Sequence, residues 1–236
     1  MYFFLYIRAM NKFTFIASVC AALFFAACGD DSSSVEPSLE DSSSSVVLSS
    51  SSSFSVIPGL TGNLLTDSRD GQSYKTVTIG TQTWMAQNLN YETANSYCYG
   101  NTPSNCTKYG RLYTWAAAKT ACPTGWHLPT KAEFETLFTW VGGSSTAGKM
   151  LKSTSGWNSG GNSVSGTDDY SFSALPAGYW DINEFYYGEG NYAFFWSSTE
   201  SFSSYVYCMR LSYGNDYANL LNNLKDAGLS VRCVKD

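Results

Sequence analysis

Two side chains that could do chemistry, Cys122 and His127, lie five positions apart in the stretch ACPTGWHLPT at residues 121–130. A thiol and an imidazole at this spacing could form a nucleophile with its general base, or two ligands of a metal ion. They could also serve structure alone. His127 is the only histidine of the chain, so a catalytic triad or a multi-histidine zinc site has no second candidate. The remaining cysteines decide between these interpretations.

Five of the seven cysteines lie beyond residue 64, and the N-terminal sequence predicts export to a compartment where disulfides persist. Cys98 and Cys106 enclose YGNTPSN, whose glycine and proline favour a turn and therefore a local disulfide. Cys122 ends a predicted helix and Cys233 lies on the core side of the predicted last strand, which favours a long-range pair. Cys208 is left as a buried free thiol or as an alternative partner, because spacing alone does not fix connectivity.

If Cys122 is bridged, it cannot act as a nucleophile and His127 has no thiol to activate. His127 lies between Trp126 and Leu128 in a predicted turn that leads into a helix, so we expect a structural imidazole. We expect no catalytic residue, no bound metal and no required cofactor. SGTDDY (residues 165–170) and GNDY (residues 214–217) offer oxygens for Ca²⁺, but without the spacing of a known calcium loop.

The N-terminus has the pattern of an export signal. In MNKFTFIASVCAALFFAACG (residues 10–29), Lys12 precedes an apolar run that ends in small residues before Cys28. This resembles the lipobox of bacterial lipoproteins and predicts a signal peptide over residues 1–27 and lipidation of Cys28. A cleaved soluble signal with an incidental cysteine is the alternative. The serine-rich and acidic stretch 28–63 predicts a disordered tether. We expect an outer-membrane lipoprotein of the bacterial cell envelope, periplasmic or surface-exposed.

Residues 64–236 are long enough for one domain with a sizeable core. They contain 12 Lys and Arg against 14 Asp and Glu, so no basic surface predicts binding to nucleic acid.

The order of elements predicts an α+β domain in which two helices pack against small antiparallel sheets with long loops. Residues 73–91 alternate and turn at Gly80, which predicts a strand pair. Residues 109–122 predict a first helix, stopped by Pro123. Thr130 and Glu133 have capping-box spacing at the start of a second helix, which Gly142 and Gly143 end.

Long loops with short strands follow over residues 152–192, and strands close the chain. In the last of these strands, Leu229, Val231 and Cys233 should face inward, while Ser230 and Arg232 should face the other side.

The chain resembles the Fibrobacter succinogenes major paralogous domain, a family with a C-type lectin-like fold. The resemblance lies in VTIGTQTWMAQNLNY, YGRLYTWAAAKTACPTGWHLPTKAEFETL, GWNSGGN, DDYSFSALPAGYW, FWSSTE and SVRCVKD, which run in order to the end of the chain. It implies a C-type lectin-like domain whose disulfide joins the first helix to the last strand. The EPN, QPD and WND triplets of calcium-dependent lectins are absent, and Cys208 alone does not match the paired copper-binding cysteines of the oxidase relatives. The resemblance therefore implies a non-catalytic binding module.

Aromatic residues suggest the ligand. Between residues 170 and 207, 14 of 38 residues are aromatic, interleaved with amides and carboxylates, a mixture that suits the apolar faces and hydroxyl edges of sugars. The candidate ligand-binding residues are Trp157, Tyr179, Trp180, Asn183, Glu184, Tyr186 and Tyr187.

Three alternatives remain open. Many of these aromatic residues could belong to the core, most clearly those of AFFW at residues 193–196. The ligand could be a surface protein, which would make the chain a structural or adhesion domain. A glycosidase that uses two carboxylates is a further alternative, with Asp168, Asp169, Asp181, Glu184, Glu189 and Glu200 available.

Overall fold

The computed structural model describes residues 63–161 and 163–236, which belong to one compact unit. The predicted signal peptide (residues 1–27), the lipidation site Cys28 and the predicted tether (residues 28–63) lie outside the described residues, apart from Asn63. The strands are β1 Leu64–Thr66, β2 Ser73–Ile79, β3 Gln82–Met85, β4 Ser96–Tyr97, β5 Leu112–Tyr113, β6 Trp126–His127, β7 Ala177–Trp180, β8 Tyr186–Glu189, β9 Tyr192–Phe202, β10 Tyr205–Ser212, β11 Ala218–Leu224, β12 Leu229–Ser230 and β13 Val234–Lys235. The helices are α1 Pro103–Tyr109, α2 Trp115–Ala121, α3 Lys131–Trp140 and α4 Ser144–Leu151, with a 3₁₀ turn at Tyr99–Asn101.

Two sheets organise the domain. The smaller sheet has the strand order β1-β2-β3-β13-β6, and the larger one has the order β11-β10-β9-β12-β5-β4. The β7–β8 hairpin joins the larger sheet where Gly178 pairs with Ala193 of β9. Most neighbours are antiparallel, while β12 and β7 each run parallel to β9. The domain is therefore α+β, as the sequence predicts.

The β9–β10–β11 part of the larger sheet separates two apolar clusters. On one side, Phe195, Met209 and Leu211 pack against the buried stripe of α3 and against α4. On the other side, Trp196 and Cys208 pack into a cluster that contains α2 and the disulfide-linked Cys233. One end of this second side, around Tyr192 and Phe194, is only partly buried.

Local chemistry explains the helix boundaries. The Thr130 hydroxyl accepts a hydrogen bond from the Glu133 backbone N–H, and the Glu133 side chain accepts one from Thr130, which completes the predicted capping box. Gly142 and Gly143 follow α3 with φ values of 97° and 93°. Side chains rarely adopt this backbone region, so the glycines end the helix as the sequence predicts.

The structure corrects the predicted first helix. Its start is Trp115, because Gly110 has a φ of 73° and Leu112 belongs to strand β5. Two further helices, α1 and α4, were not predicted. α1 is only seven residues long, begins inside the short disulfide loop and extends past Cys106 to Tyr109. α4 follows α3 directly after the glycine pair.

The predicted two faces of the last strand are confirmed, and both are buried. Leu229, Val231 and Cys233 lie in the cluster that contains α2, while Arg232 lies against Phe172 and Phe195 of the cluster around α3 and α4. Ser230 and Arg232 are buried, as are Leu229, Val231 and Cys233. Arg232 is accommodated because its guanidinium donates to the Asn88 side chain and to the carbonyls of residues 172 and 173. This segment is covered on both sides, so alternation cannot identify its exposed face. Across the described residues, no helix is long and apolar enough to cross a membrane.

Candidate ligand-binding site

The β7–β8 hairpin holds most of the sequence-predicted ligand residues. Its register pairs Tyr179 with Tyr187 and Trp180 with Tyr186. The strands approach closely at Gly178, where φ is 66° and a Cβ would lie 2.3 Å from the Tyr187 carbonyl oxygen. Only glycine fits this position, so the hairpin geometry depends on it.

The turn of the hairpin is organised by Asp181. Its carboxylate accepts hydrogen bonds from the backbone N–H groups of Asn183, at 2.9 Å, and Phe185, at 3.1 Å. The Asn183 side chain donates to the same carboxylate, and Glu184 has a φ of 66°. Asn183 and Glu184 are exposed at the tip, while Asp181 fixes the turn that presents Phe185.

One side of the hairpin is turned toward the protein. Trp180 stacks on Tyr97 at 4.5 Å between ring centroids, and Tyr186 meets Tyr99 edge to face at 5.2 Å. The Tyr186 hydroxyl also donates to Asn101 at 2.7 Å. These two predicted ligand residues are half-buried and pack against a small apolar cluster of Tyr109, Leu112 and Ala177. Their main contacts are therefore internal.

The opposite side of the hairpin forms a continuous series of rings with β9. We define the aromatic row as Phe185, Tyr187, Tyr179, Phe194 and Tyr192. Consecutive ring centroids are 6.3, 5.7, 5.3 and 5.9 Å apart. Phe185 is 60% exposed and Tyr187 is 45% exposed, and the other three rings are half-buried. Of the predicted ligand residues, Tyr179 and Tyr187 belong to this row.

A cation lies beside the inner end of the aromatic row. Arg210 of β10 pairs directly with Phe194 of β9 and with Asn219 of β11, which places the three on the same side of the sheet. The guanidinium carbon is 5.9 Å from the Tyr192 ring centroid. The Arg210 Nε is buried and has no hydrogen-bond partner within the described part of the chain.

Trp157 lies apart from the aromatic row. It packs against the cluster around α3 and α4, and its indole N–H donates to the Ser153 hydroxyl at 3.1 Å. The Lys152 ammonium is 5.4 Å from its ring centroid. This lysine is buried and donates to the carbonyl oxygens of residues 164, 212 and 215. Trp157 therefore covers a structural lysine.

A polar groove was not predicted from the sequence. It has a volume of about 1090 Å³ and lies between β2 and α1, with amides and a hydroxyl among its lining side chains: Asn63, Gln72, Gln87, Asn88, Asn90 and Thr107. A smaller cavity of about 430 Å³ shares Gln72, Asn90 and Cys106 with it. The lining residues come from separate stretches of the chain with no common motif, so no local signal could have identified them.

Cys122 and His127 have structural partners. Cys122 is bonded to Cys233 and Cys98 to Cys106, which are the two predicted pairs, and Cys208 is a buried free thiol. His127 Nδ1 lies 2.7 Å from an Asp236 carboxylate oxygen. Its Nε2 lies 2.8 Å from a Glu133 carboxylate oxygen.

The pKa values follow from these surroundings. Burial lowers the pKa of His127, but the hydrogen bonds to Asp236 and Glu133 outweigh burial and raise it overall. Burial raises the pKa of Glu133, but hydrogen bonds from Thr130 and His127 lower it overall. Burial raises the pKa of the Cys208 thiol to about 12, which suppresses the reactive thiolate.

Several of the carboxylates that the sequence offers for a glycosidase take part in separate structural contacts. Asp168 accepts from the backbone N–H and the hydroxyl of Ser173, and Glu189 accepts from the Tyr109 hydroxyl at 2.9 Å. Lys225 lies 2.7 Å from Glu200. Within residues 63–161 and 163–236, no group of three or more His, Cys, Asp or Glu side chains has the arrangement of a metal site.

Comparison with known proteins gives one match. Residues 77–235 match the family model described as the Fibrobacter succinogenes major domain. The match spans β3, all four helices and every element of the aromatic row. No curated protein and no solved structure matched the chain.

Proposed function

We propose that this chain, which belongs to the Fibrobacter succinogenes major domain family, is a non-catalytic binding module that recognises polysaccharide through its aromatic row. The observation that supports this proposal is the exposure of Phe185 and Tyr187 at the end of five rings in sequence. Large exposed apolar side chains that are contiguous mark binding surfaces more often than isolated ones do.

The chemistry of the aromatic row suits sugars. A pyranose presents an apolar C–H face that stacks on an aromatic ring, and tyrosine hydroxyls can meet the polar ring edge. Tyrosine also supplies contact area at a low cost in conformational entropy. The rings are held by the hairpin register and by contacts with Phe194, so ligand binding does not have to order them.

Binding is favoured over catalysis because the residues that could have formed a nucleophile and base have other partners. Cys122 is bridged, and both ring nitrogens of His127 lie against carboxylates.

The setting of the module is part of the proposal. We place it on the bacterial cell envelope, as an outer-membrane lipoprotein tethered through Cys28 and the serine-rich stretch that follows. The two disulfides support a compartment outside the cytoplasm. We also propose a C-type lectin-like fold, which the disulfide between the end of α2 and Cys233 near the C-terminus supports.

Retention of the full oxidised chain on insoluble cellulose and xylan tests this function. Tyr187→Ala should weaken retention about tenfold, because removal of one well-placed aromatic contact typically costs more than about 1 kcal/mol. Tyr205→Ala is the matched control: Tyr205 is 42% exposed against 45% for Tyr187, but it lies at the tip of the β9–β10 hairpin.

Equal effects of the two substitutions would contradict a site on the aromatic row. Failure of the wild-type chain to bind any polysaccharide would reject the proposed ligand. A protein-binding adhesion domain would then be the better account, because an exposed aromatic surface also fits a protein partner.

A further inference from the structure

Arg210 differs from the other arginines of the described residues in having no bonded partner there. Arg69 pairs with Asp67 at 2.6 Å and Arg111 pairs with Glu92 at 2.7 Å. Arg232 donates to three acceptors inside the core. Arg210 forms neither a hydrogen bond nor an ion pair with any residue in the described ranges, and its Nε is withdrawn from solvent.

An arginine without an internal partner can bind an anion. A guanidinium has five N–H donors in a rigid planar fork, which matches the two oxygens of a carboxylate. A buried donor with no partner is unfavourable, so a ligand that supplies an acceptor gains more than it would from a solvated lysine. The centroid of the Tyr192 ring lies 5.9 Å from the guanidinium carbon, too far for the ring to accept a hydrogen bond from Nε.

The position of Arg210 connects this cation to the proposed ligand surface. Its direct cross-strand neighbours are Phe194, a member of the aromatic row, and Asn219, whose amide adds a polar group on the other side. A ring stacked on Phe194 or Tyr192 would therefore present its substituents to an available positive charge.

We propose that the aromatic row binds acidic polysaccharide, with Arg210 pairing to the carboxylate of a uronic acid. This inference rests on the proposed function and specifies its ligand class. A uronic acid has both features that the surface requires, an apolar C–H face for a ring and a planar carboxylate at the edge for a guanidinium.

Titration calorimetry of the full oxidised chain tests the proposal with polygalacturonate, its fully methyl-esterified form and neutral xylan. The acid and its ester differ in the carboxylate charge. We expect the acid to bind at least about tenfold more tightly than the ester, in line with the strength of hydrogen bonds to charged groups. Arg210→Gln should abolish that difference by lowering the affinity for the acid to that for the ester.

A second variant tests the role of the guanidinium even if Arg210→Gln misfolds. Asn219→Asp keeps Arg210 and the shape of the neighbouring side chain, but it introduces a carboxylate at the residue that pairs directly with Arg210 across the strands. The ion pair between this new carboxylate and Arg210 should compete with the carboxylate of the ligand and remove the preference for the acid. Lys75→Gln is the charge-matched control, because it removes an exposed cation from the polar groove, and it should preserve the preference.

Each other outcome has a defined meaning. Equal binding of acid and ester that still depends on Tyr187 would overturn the role of Arg210 and leave the proposed function intact. Binding to none of the three polymers would overturn both. A loss of preference in Lys75→Gln would place the anion in the groove and overturn the assignment. Binding of dextran sulfate as tight as that of polygalacturonate would also overturn the assignment, because charge alone would then explain the affinity.

Discussion

Removal of the Cys122–Cys233 disulfide should destabilise the domain far more than removal of the Cys98–Cys106 disulfide. The two bonds close loops with sequence separations of 111 and 8 residues. In the chain-entropy model, these loops correspond to about 5 kcal/mol and about 2.5 kcal/mol of stabilisation. Cys233 is also fully buried, so its truncation leaves a small cavity that adds to the larger value.

Guanidinium denaturation and thermal melts of the double variants Cys122→Ala/Cys233→Ala and Cys98→Ala/Cys106→Ala measure this difference. For a domain of this size, each kcal/mol corresponds to about 2–4 °C in Tm. The long-range variant should therefore lose about 10–20 °C, and the short-range variant about 5–10 °C. Reduced wild-type protein should be at least as unstable as the long-range variant. If the two double variants lost equal stability, the view that Cys122–Cys233 is the main covalent constraint of the fold would be refuted.

Three further predictions concern single residues. Gly125→Ala should lower the free energy of unfolding by about 1 kcal/mol through its positive φ alone. Gly178→Ala should lower it further, because, of these two residues, only Gly178 has backbone atoms where the added Cβ would lie; thermal melts of both variants and polysaccharide retention of Gly178→Ala check this. The stabilisation from protonated His127 should be complete below the unfolded-state pKa of 6.5 and should be lost as pH rises through the higher folded-state pKa. The free energies of unfolding at pH 6 and pH 8 should therefore differ less in His127→Gln than in the wild type. Maleimide should label the peptide that contains Cys208 only in denaturant, because the thiol is buried and its pKa is about 12; labelling of the native protein at pH 7 would contradict this.

Features that depend on local chemistry could be predicted from the sequence. The capping box at Thr130 and Glu133 requires only a spacing of three residues, and the strand turn at Gly80 requires only alternation and one glycine. The two disulfide pairs followed from a short turn-forming loop and from the inward position of Cys233. Each of these features except the Cys122–Cys233 pair, whose residues are 111 positions apart, involves one or two neighbouring elements.

Features that depend on tertiary packing could not be predicted in the same way. Trp180 and Tyr186 are aromatic residues of the same stretch of sequence as Tyr179 and Tyr187, so composition does not distinguish the two pairs. In the hairpin, however, Trp180 and Tyr186 pack on Tyr97 and Tyr99. Which face of a strand pair is covered depends on elements more than 80 residues away along the chain. Arg210 was missed for a related reason, because a single arginine in a strand becomes notable only when its partners in space are known.

Hydroxyl-radical footprinting of the full oxidised chain tests the central claim most directly, because it reports on aromatic side chains one by one. The measurement compares free protein with protein saturated by soluble xylan or polygalacturonate. Oxidation of Phe185 and Tyr187 should fall on binding, while oxidation of Tyr205 and Trp140 should be unchanged. Unchanged oxidation of the aromatic row, with protection confined to residues 72–78 and 106–110 of the polar groove, would contradict this claim.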